Sequence, residues 1–229
     1  MPPDPSDRRL ACLVHPTGSA VVLGSAQLAG DFDADRCAAE GLALVRRRSG
    51  GGAVLVAPEA QVWLDLFLPV TDPLFDRDIV RASSWVGALW RRAIAACGGG
   101  ENLVVHEGGL EETAWSRRIC FSGIGPGELG RDGRKVTGVS QRRDRSGAWF
   151  FTMGLIGPGQ LALAPLLAAG RAERAAAATA LAVETSLVGC PAVEVEKALA
   201  GLLGGAFLAG EDVPAEPHPR QGDDGACAG

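Results

Sequence analysis

No two of the six cysteines stand in a Cys-x-x-Cys spacing; Cys12, Cys37, Cys97, Cys120, Cys190 and Cys227 are scattered along the chain. That argues against a structural zinc site and leaves free thiols in a reducing compartment as the expectation. His15, His106 and His218 show no ligand spacing either, so no protein-bound metal is expected. No apolar run approaches the roughly 20 residues of a membrane span. Met1 to Arg9 is rich in Pro and Asp and does not read as a signal peptide, which makes a cytoplasmic location without membrane attachment the expectation. Positive charge is also in deficit. A formal net charge of −5 argues against nucleic acid as a partner. Local clusters such as Arg46 to Arg48 and Arg142-Arg143 are therefore read as sites or solvated edges. There is no internal repeat. Both common nucleotide fingerprints are missing, since no Gly-x-Gly-x-x-Gly opens a helix and no glycine-rich loop ends in Gly-Lys-Ser/Thr.

What is present suits one sizeable domain of 229 residues, with 47% hydrophobic and 21% charged residues. Ala20 to Gly24, Leu42 to Val45 and Ala53 to Ala57 are short apolar runs that read as strands. Between the first two, residues 30–41 predict a short helix capped by Asp33 and ended by Gly41. Gln61 to Pro69 alternates, with Val62, Leu64, Leu66 and Leu68 on one face and Trp63, Asp65 and Phe67 on the other. The tight connection at Pro58-Glu59 predicts that this strand pairs with the preceding one. Asp76 to Cys97 carries helical spacing and stops at Gly98-Gly99-Gly100. Further strands are predicted at 102–106, 118–122, 135–139 and 148–156, and helices at 171–188 and 191–203. Residues 1–10 and 206–229 are expected to be flexible ends around a domain spanning 11–205. Strands with interspersed helices indicate an α+β fold with a mainly antiparallel or mixed sheet flanked by helices.

Two segments carry chemistry. In Arg46-Arg47-Arg48-Ser49-Gly50-Gly51-Gly52-Ala53-Val54, three glycines after a strand let backbone approach a ligand and turn amides toward an anion. The arginines beside them could pair with a phosphate. A bare glycine triplet is commonly just a turn, and Gly98 to Gly100 reads as one. The second segment is Asp132-Gly133-Arg134-Lys135-Val136-Thr137-Gly138-Val139-Ser140-Gln141. Asp132-Gly133 predicts a hairpin turn, which puts Lys135 at a strand start with Gly138 leaving space beside it. A lysine there is either a solvated charge or a group that stabilises charge developing on a leaving phosphate.

Together these segments resemble the lipoate-protein ligase family, which has Arg-Arg-x-Ser/Thr-Gly-Gly-Gly-Ala-Val followed by Gly-Arg-Lys-Ile/Val-x-Gly-x-Ala/Ser. Weaker likeness reaches back to Val21-Val22-Leu23-Gly24-Ser25-Ala26-Gln27 and forward to Glu184-Thr185-Ser186-Leu187. The resemblance implies the catalytic-domain fold shared with biotin ligases. It also implies activation of lipoate or octanoate by ATP and Mg²⁺ to the acyl-adenylate. The acyl group would then pass to a lysine on the lipoyl domain of a 2-oxoacid dehydrogenase or a glycine-cleavage protein. Carried onto this chain, Ser49, Gly50, Gly51, Gly52, Ala53, Gly138 and Ser140 would line the acyl-adenylate pocket. Arg46 and Arg47 would support it, and Lys135 would contact the adenylate. The family's small accessory domain has no counterpart here, which implies a helper subunit for adenylation. Leu55-Val56-Ala57-Pro58-Glu59 stands where the family commonly has a His-Asp stretch, and Gly147-Ala148-Trp149-Phe150-Phe151-Thr152 replaces a His-Gly-Thr/Ser-like turn.

Two other readings stay open. Related octanoyltransferases use no ATP and pass the acyl group through a cysteine thioester. Cys120, fifteen residues before Lys135, could serve as that cysteine, or it could be a small buried strand residue. The altered stretches also leave room for a catalytically silent module that binds an acyl-adenylate. Val62, Leu64 and Leu66 could wall an acyl chain, but core packing is the preferred explanation for them.

Overall fold

The computed structural model describes residues 8–209. Three small sheets share the ten strands. The largest is antiparallel throughout, in the order β1 (Leu10–Val14), β5 (Gln61–Pro69), β10 (Gly147–Leu155), β9 (Thr137–Arg143). A second, mixed sheet has β3 (Ala43–Arg46) parallel and β4 (Val54–Val56) antiparallel to a central β2 (Ala20–Leu23). The third joins β6 (Leu103–Val105), β7 (Leu129–Arg131) and β8 (Arg134–Lys135), again antiparallel. The expected α+β architecture is therefore present.

The alternation in β5 decides how the large sheet is covered. Val62, Leu64, Leu66 and Leu68 face a core made with α2 (Ile79–Ala96), so packing accounts for them. From the helix, Trp85, Val86, Leu89 and Trp90 come down on these leucines and on Phe150, with Trp85 edge-on to Phe150 at 5.5 Å. The indole N–H of Trp90 donates to Thr152 at 2.9 Å, and Thr152 donates in turn to the Leu64 carbonyl at 2.7 Å, whereas the buried indole N–H of Trp85 has no hydrogen-bond partner. Asp78 caps α2 by accepting from the amides of Val80 and Arg81. Val195 and Leu199 of α5 (Ala192–Ala209) extend the same core. The mixed sheet has its own core, where Val21, Leu23 and Leu55 meet Leu163 and Leu166 of α3 (Leu163–Leu166) and Leu181 of α4 (Arg171–Glu184). Asp33 caps α1 (Ala34–Ala39) as expected, and Gly41 ends it with a φ of 69°.

Several expectations need correction. Residues 118–122 form a turn and not a strand; Ile119 alone makes a bridge, with Ala53. Cys120 and Phe121 line the same slot, which two successive residues of a strand, pointing to opposite faces, could not do. β4 does not pair with β5. The turn through Glu59, whose φ is 60°, hands the chain from one sheet to another. The edge strand β1 was not expected, and Leu10 lies in it rather than in a flexible end. α4 stops at Glu184, and α5 runs on through Gly204 and Gly205 to Ala209. The expected tail falls mostly beyond residue 209, outside the described residues. Among the described residues, no helix is long and apolar enough to cross a membrane.

Candidate active site

The glycine-rich loop connects β3 to β4 across the end of β2, and backbone crowds it at Gly52 and against Gly24, while Gly50 is open. A Cβ on Gly24 would stand 1.8 Å from the Gly51 carbonyl oxygen, and one on Gly52 would stand 2.6 Å from the Ile119 amide nitrogen. Gly51 itself has a φ of 92°. The neighbouring arginines spend their donors on this backbone. Arg46 reaches the carbonyls of Gly24, at 2.8 Å, and Gln27. Arg47 reaches those of Val22, Gly50 and Gly52 at 3.1, 2.6 and 2.9 Å, and the Ser49 hydroxyl at 3.2 Å. Both guanidinium groups thus brace the loop. Buried Ser49 accepts from the Ser140 hydroxyl at 2.9 Å, which ties the loop to β9 of the large sheet. Ala53 is fully buried, and its backbone exchanges hydrogen bonds with Arg118 and Cys120.

Lys135 enters from the other side. Asp132 and Gly133, both at positive φ, form the two-residue turn between β7 and β8 that was expected there. Past this turn, Lys135 is 5% exposed, far from a solvated surface charge. Its Nζ pairs with Glu128 at 2.7 Å, donates to the Cys120 carbonyl at 2.7 Å, and lies 5.2 Å from the Phe121 ring centre. Glu128 is in turn held by the amides of Gly125, at 2.7 Å, and Val139, at 2.9 Å. Burial alone would pull the Lys135 amine toward its neutral form; the Glu128 carboxylate and the Cys120 thiol outweigh that and raise its pKa. An ammonium carries three N–H donors, and Glu128 and Cys120 take two, which leaves one for a ligand. The Ser186 amide donates to the Lys135 carbonyl at 2.8 Å, which brings the weakly matching 184–187 segment to the same place.

Between loop and lysine lies a groove of about 720 Å³ lined by Gly50, Gly51, Gly52, Cys120, Lys135 and Ser140. It exceeds the volume needed for a nucleotide-sized ligand. A small apolar slot of about 50 Å³ opens beside it under Gly138, walled by Val22, Val54, Trp63, Phe121 and Met153. Cys120 borders both cavities. The sequence-derived residues Arg47, Ser49, Gly50 to Gly52, Cys120, Lys135, Gly138 and Ser140 thus converge. Arg46 turns back to the 24–27 segment, and Ala53 belongs to the core. Glu128, seven residues before the lysine in a Pro-Gly-Glu turn, joins the site without any motif in the sequence to mark it. Val56, in the 55–59 stretch after the glycine loop, is buried beside Phe121 and Met153. Among the described residues, no three His, Cys, Asp or Glu side chains are grouped to hold a metal ion.

A family model described as the lipoyl protein ligase A/B catalytic domain matches residues 4–182. No curated protein matches the sequence significantly. Among solved structures, the chain is similar to one from the analysis of an archaeal lipoylation system, a bi-partite lipoate protein ligase and its E2 lipoyl domain from Thermoplasma acidophilum. That match has a TM-score of 0.64 and 18% identity and covers 90% of this chain and 73% of the other. A lipoate-protein ligase A bound with ATP matches with a TM-score of 0.61 and 16% identity, over 89% of this chain and 74% of the other. A putative lipoate protein ligase from T. acidophilum with bound lipoic acid matches with a TM-score of 0.60 and 17% identity, over 90% and 74%. At these identities the structural likeness establishes the fold.

Proposed function

Because the chain belongs to the lipoyl protein ligase A/B catalytic-domain family, we propose that it activates lipoate or octanoate with ATP and transfers the acyl group to a lysine of a lipoyl domain. The observation that carries this reading is the buried Lys135 ammonium, which has one N–H left for a ligand between the glycine loop and an apolar slot. In the first step a carboxylate oxygen of the acid attacks the α-phosphorus of ATP and pyrophosphate leaves, giving the acyl-adenylate. Gly50 to Gly52 let the phosphate approach backbone, and Lys135 stabilises its charge. In the second step the acceptor lysine's neutral amine attacks the acyl carbonyl, the C–O bond to phosphate breaks, AMP departs with Lys135 beside the leaving oxygen, and the amine's surplus proton passes to water. Positioning carries most of this chemistry, since the mixed anhydride is already reactive.

Mg²⁺ fits this scheme as part of the substrate. It binds largely through phosphates and water, with at most one or two carboxylates. Glu128 is committed to Lys135 and two amides, while the exposed Glu112 borders the groove. A bi-partite architecture, as described for the archaeal neighbour, makes a separate subunit for adenylation part of the proposal.

The position of Cys120 favours a second reading. Its sulfur lies 3.6 Å from where a Cβ on Gly51 would stand, and the residue borders groove and slot. An octanoyltransferase would form its thioester there without ATP. Incubating the full chain with an apo lipoyl domain and following the acceptor's mass separates the readings. Labelling from lipoate that needs ATP supports the ligase. Labelling from octanoyl carrier protein that is lost in Cys120→Ser supports the transferase. Binding of the acid without either reaction, even with a candidate helper subunit, leaves a non-catalytic module.

A further inference from the structure

The face of the large sheet opposite α2 holds a cavity of about 320 Å³ beyond the slot, between that sheet and the start of the glycine loop. Trp63, Trp149 and Phe151 wall it, Arg48 and Arg142 border it, and Asp65 lines it. Asp65 pairs across the sheet with Phe151 and is 8% exposed. One of its carboxylate oxygens accepts the Trp63 indole N–H at 2.7 Å. Among the described residues, no donor hydrogen-bonds to the other oxygen. That oxygen is not sealed off like the buried, unpaired Trp85 indole N–H; it retains access on a side chain that lines the cavity, where its acceptor capacity is open to a ligand. Burial also pushes its pKa up to about 6, in spite of the Trp63 hydrogen bond.

This cavity adjoins the slot, because Arg47, Trp63 and Phe151 line both. The slot's 50 Å³ is small beside the roughly 300 Å³ at which ligand pockets begin. An eight-carbon chain that starts near Lys135 and outgrows the slot would reach the second cavity past Trp63 and Phe151. We propose that the acyl pocket ends in a polar recognition site, where Asp65 takes a neutral N–H donor, such as a primary amide, at the far end of the acid. The proposal rests on the assignment of the slot to the acyl chain. The aromatic rings favour a flat group, and Arg47, Arg48 and Arg142 around the cavity disfavour an ammonium. Octanoate would occupy the same path without this contact.

Calorimetry on the full chain, with and without Mg·ATP, tests this with octanoate and the monoamide of octanedioic acid, which has the same carbon count. The wild type should bind the amide acid about tenfold more tightly, the gain expected of a hydrogen bond to a carboxylate. Asp65→Leu should lose that preference and bind octanoate at least as well as the wild type does. Equal or weaker binding of the amide acid by the wild type overturns the proposal and leaves the acyl-pocket reading intact. If neither acid binds, both fall. The wild-type ratio decides even where Asp65→Leu does not fold.

Discussion

Lys135 and Glu128 form a buried pair whose members depend on each other for charge compensation. Removing one partner of such a pair costs about 3–5 kcal/mol, while replacing both with apolar or neutral groups can be nearly neutral. Lys135→Met alone should therefore lower stability by about that amount in chemical denaturation, and adding Glu128→Gln should restore part of it. Acyl transfer should fall at least about 100-fold in both proteins, because the loss of transition-state charge stabilisation is not restored. Full turnover in Lys135→Met would sink the ligase and transferase readings together. Asp65 gives a second prediction with a defined sign. Its folded pKa is raised, so between about pH 4 and 6 the folded chain keeps a proton that the unfolded chain releases, and stability falls as pH rises through that interval. Arg47, Arg48 and Arg142 share its cavity, and Cys12 is its neighbour in β1. Asp65→Asn should be more stable than the wild type by roughly 2–3 kcal/mol at pH 8 and equal to it near pH 4. Thermal melts at the two pH values check this, and a variant destabilised at pH 8 would refute it. Residues inside a contiguous motif were legible in the sequence. Glu128 was not, because a carboxylate in a turn carries no local mark of the lysine it will neutralise across a hairpin. Asp65 was visible only as one position in an alternating strand.

At the scale of elements, β4 is an edge strand of the mixed sheet and is sealed by a side chain. Gln160, itself 2% exposed, accepts from the Leu55 amide at 3.0 Å and donates to the Leu55 carbonyl at 2.7 Å, standing in for a neighbouring strand. Gln160→Leu keeps comparable bulk but strands a buried N–H and C=O, so it should cost about 2–4 kcal/mol. Differential scanning calorimetry should show the loss, and Gln160→Glu should recover little of it because its carboxylate cannot donate. An unchanged midpoint in Gln160→Leu would mean that β4 finds other partners. The same strand shows where sequence reading stops. Val54 to Val56 reads plainly as a strand, but its partner is β2, about thirty residues earlier, and the short Pro58-Glu59 turn misleadingly pointed to β5. Residues 118–122 have strand-like composition, yet they turn so that Cys120 and Phe121 can face the site. β1 was hidden because an edge strand with mixed exposure lacks both periodicity and a long apolar run. Helices α1 and α2 and the Asp132-Gly133 hairpin were legible because caps, stops and turn residues act locally.

Across the whole molecule, the candidate site lies where the three sheets meet. The loop comes from the mixed sheet, Ser140 and Gly138 from the four-stranded sheet, and Lys135 from the third. The Ser49 to Ser140 hydrogen bond joins the mixed sheet to the four-stranded one, and bonds from Val139 to Glu128 and from Leu129 to Thr137 join the four-stranded sheet to the third. A ligand that touches the glycine loop and Lys135 together would add to these cross-sheet contacts, and it would stabilise the folded state by mass action. At about 100 times its Kd that amounts to roughly 2.7 kcal/mol, or about 5–10 °C in midpoint for a chain of this size. A non-hydrolysable acyl-sulfamoyl adenosine should produce this shift, and octanoate alone should produce less, since it reaches the slot without spanning the loop. Hydrogen exchange should slow together at residues 49–53, 118–122 and 135–140, which come from different sheets. In Lys135→Met the exchange protection should shrink and the midpoint shift should fall below about half. If the adenosine analogue gives no shift while octanoate does, the groove is not an adenylate site and the transferase reading through Cys120 takes precedence.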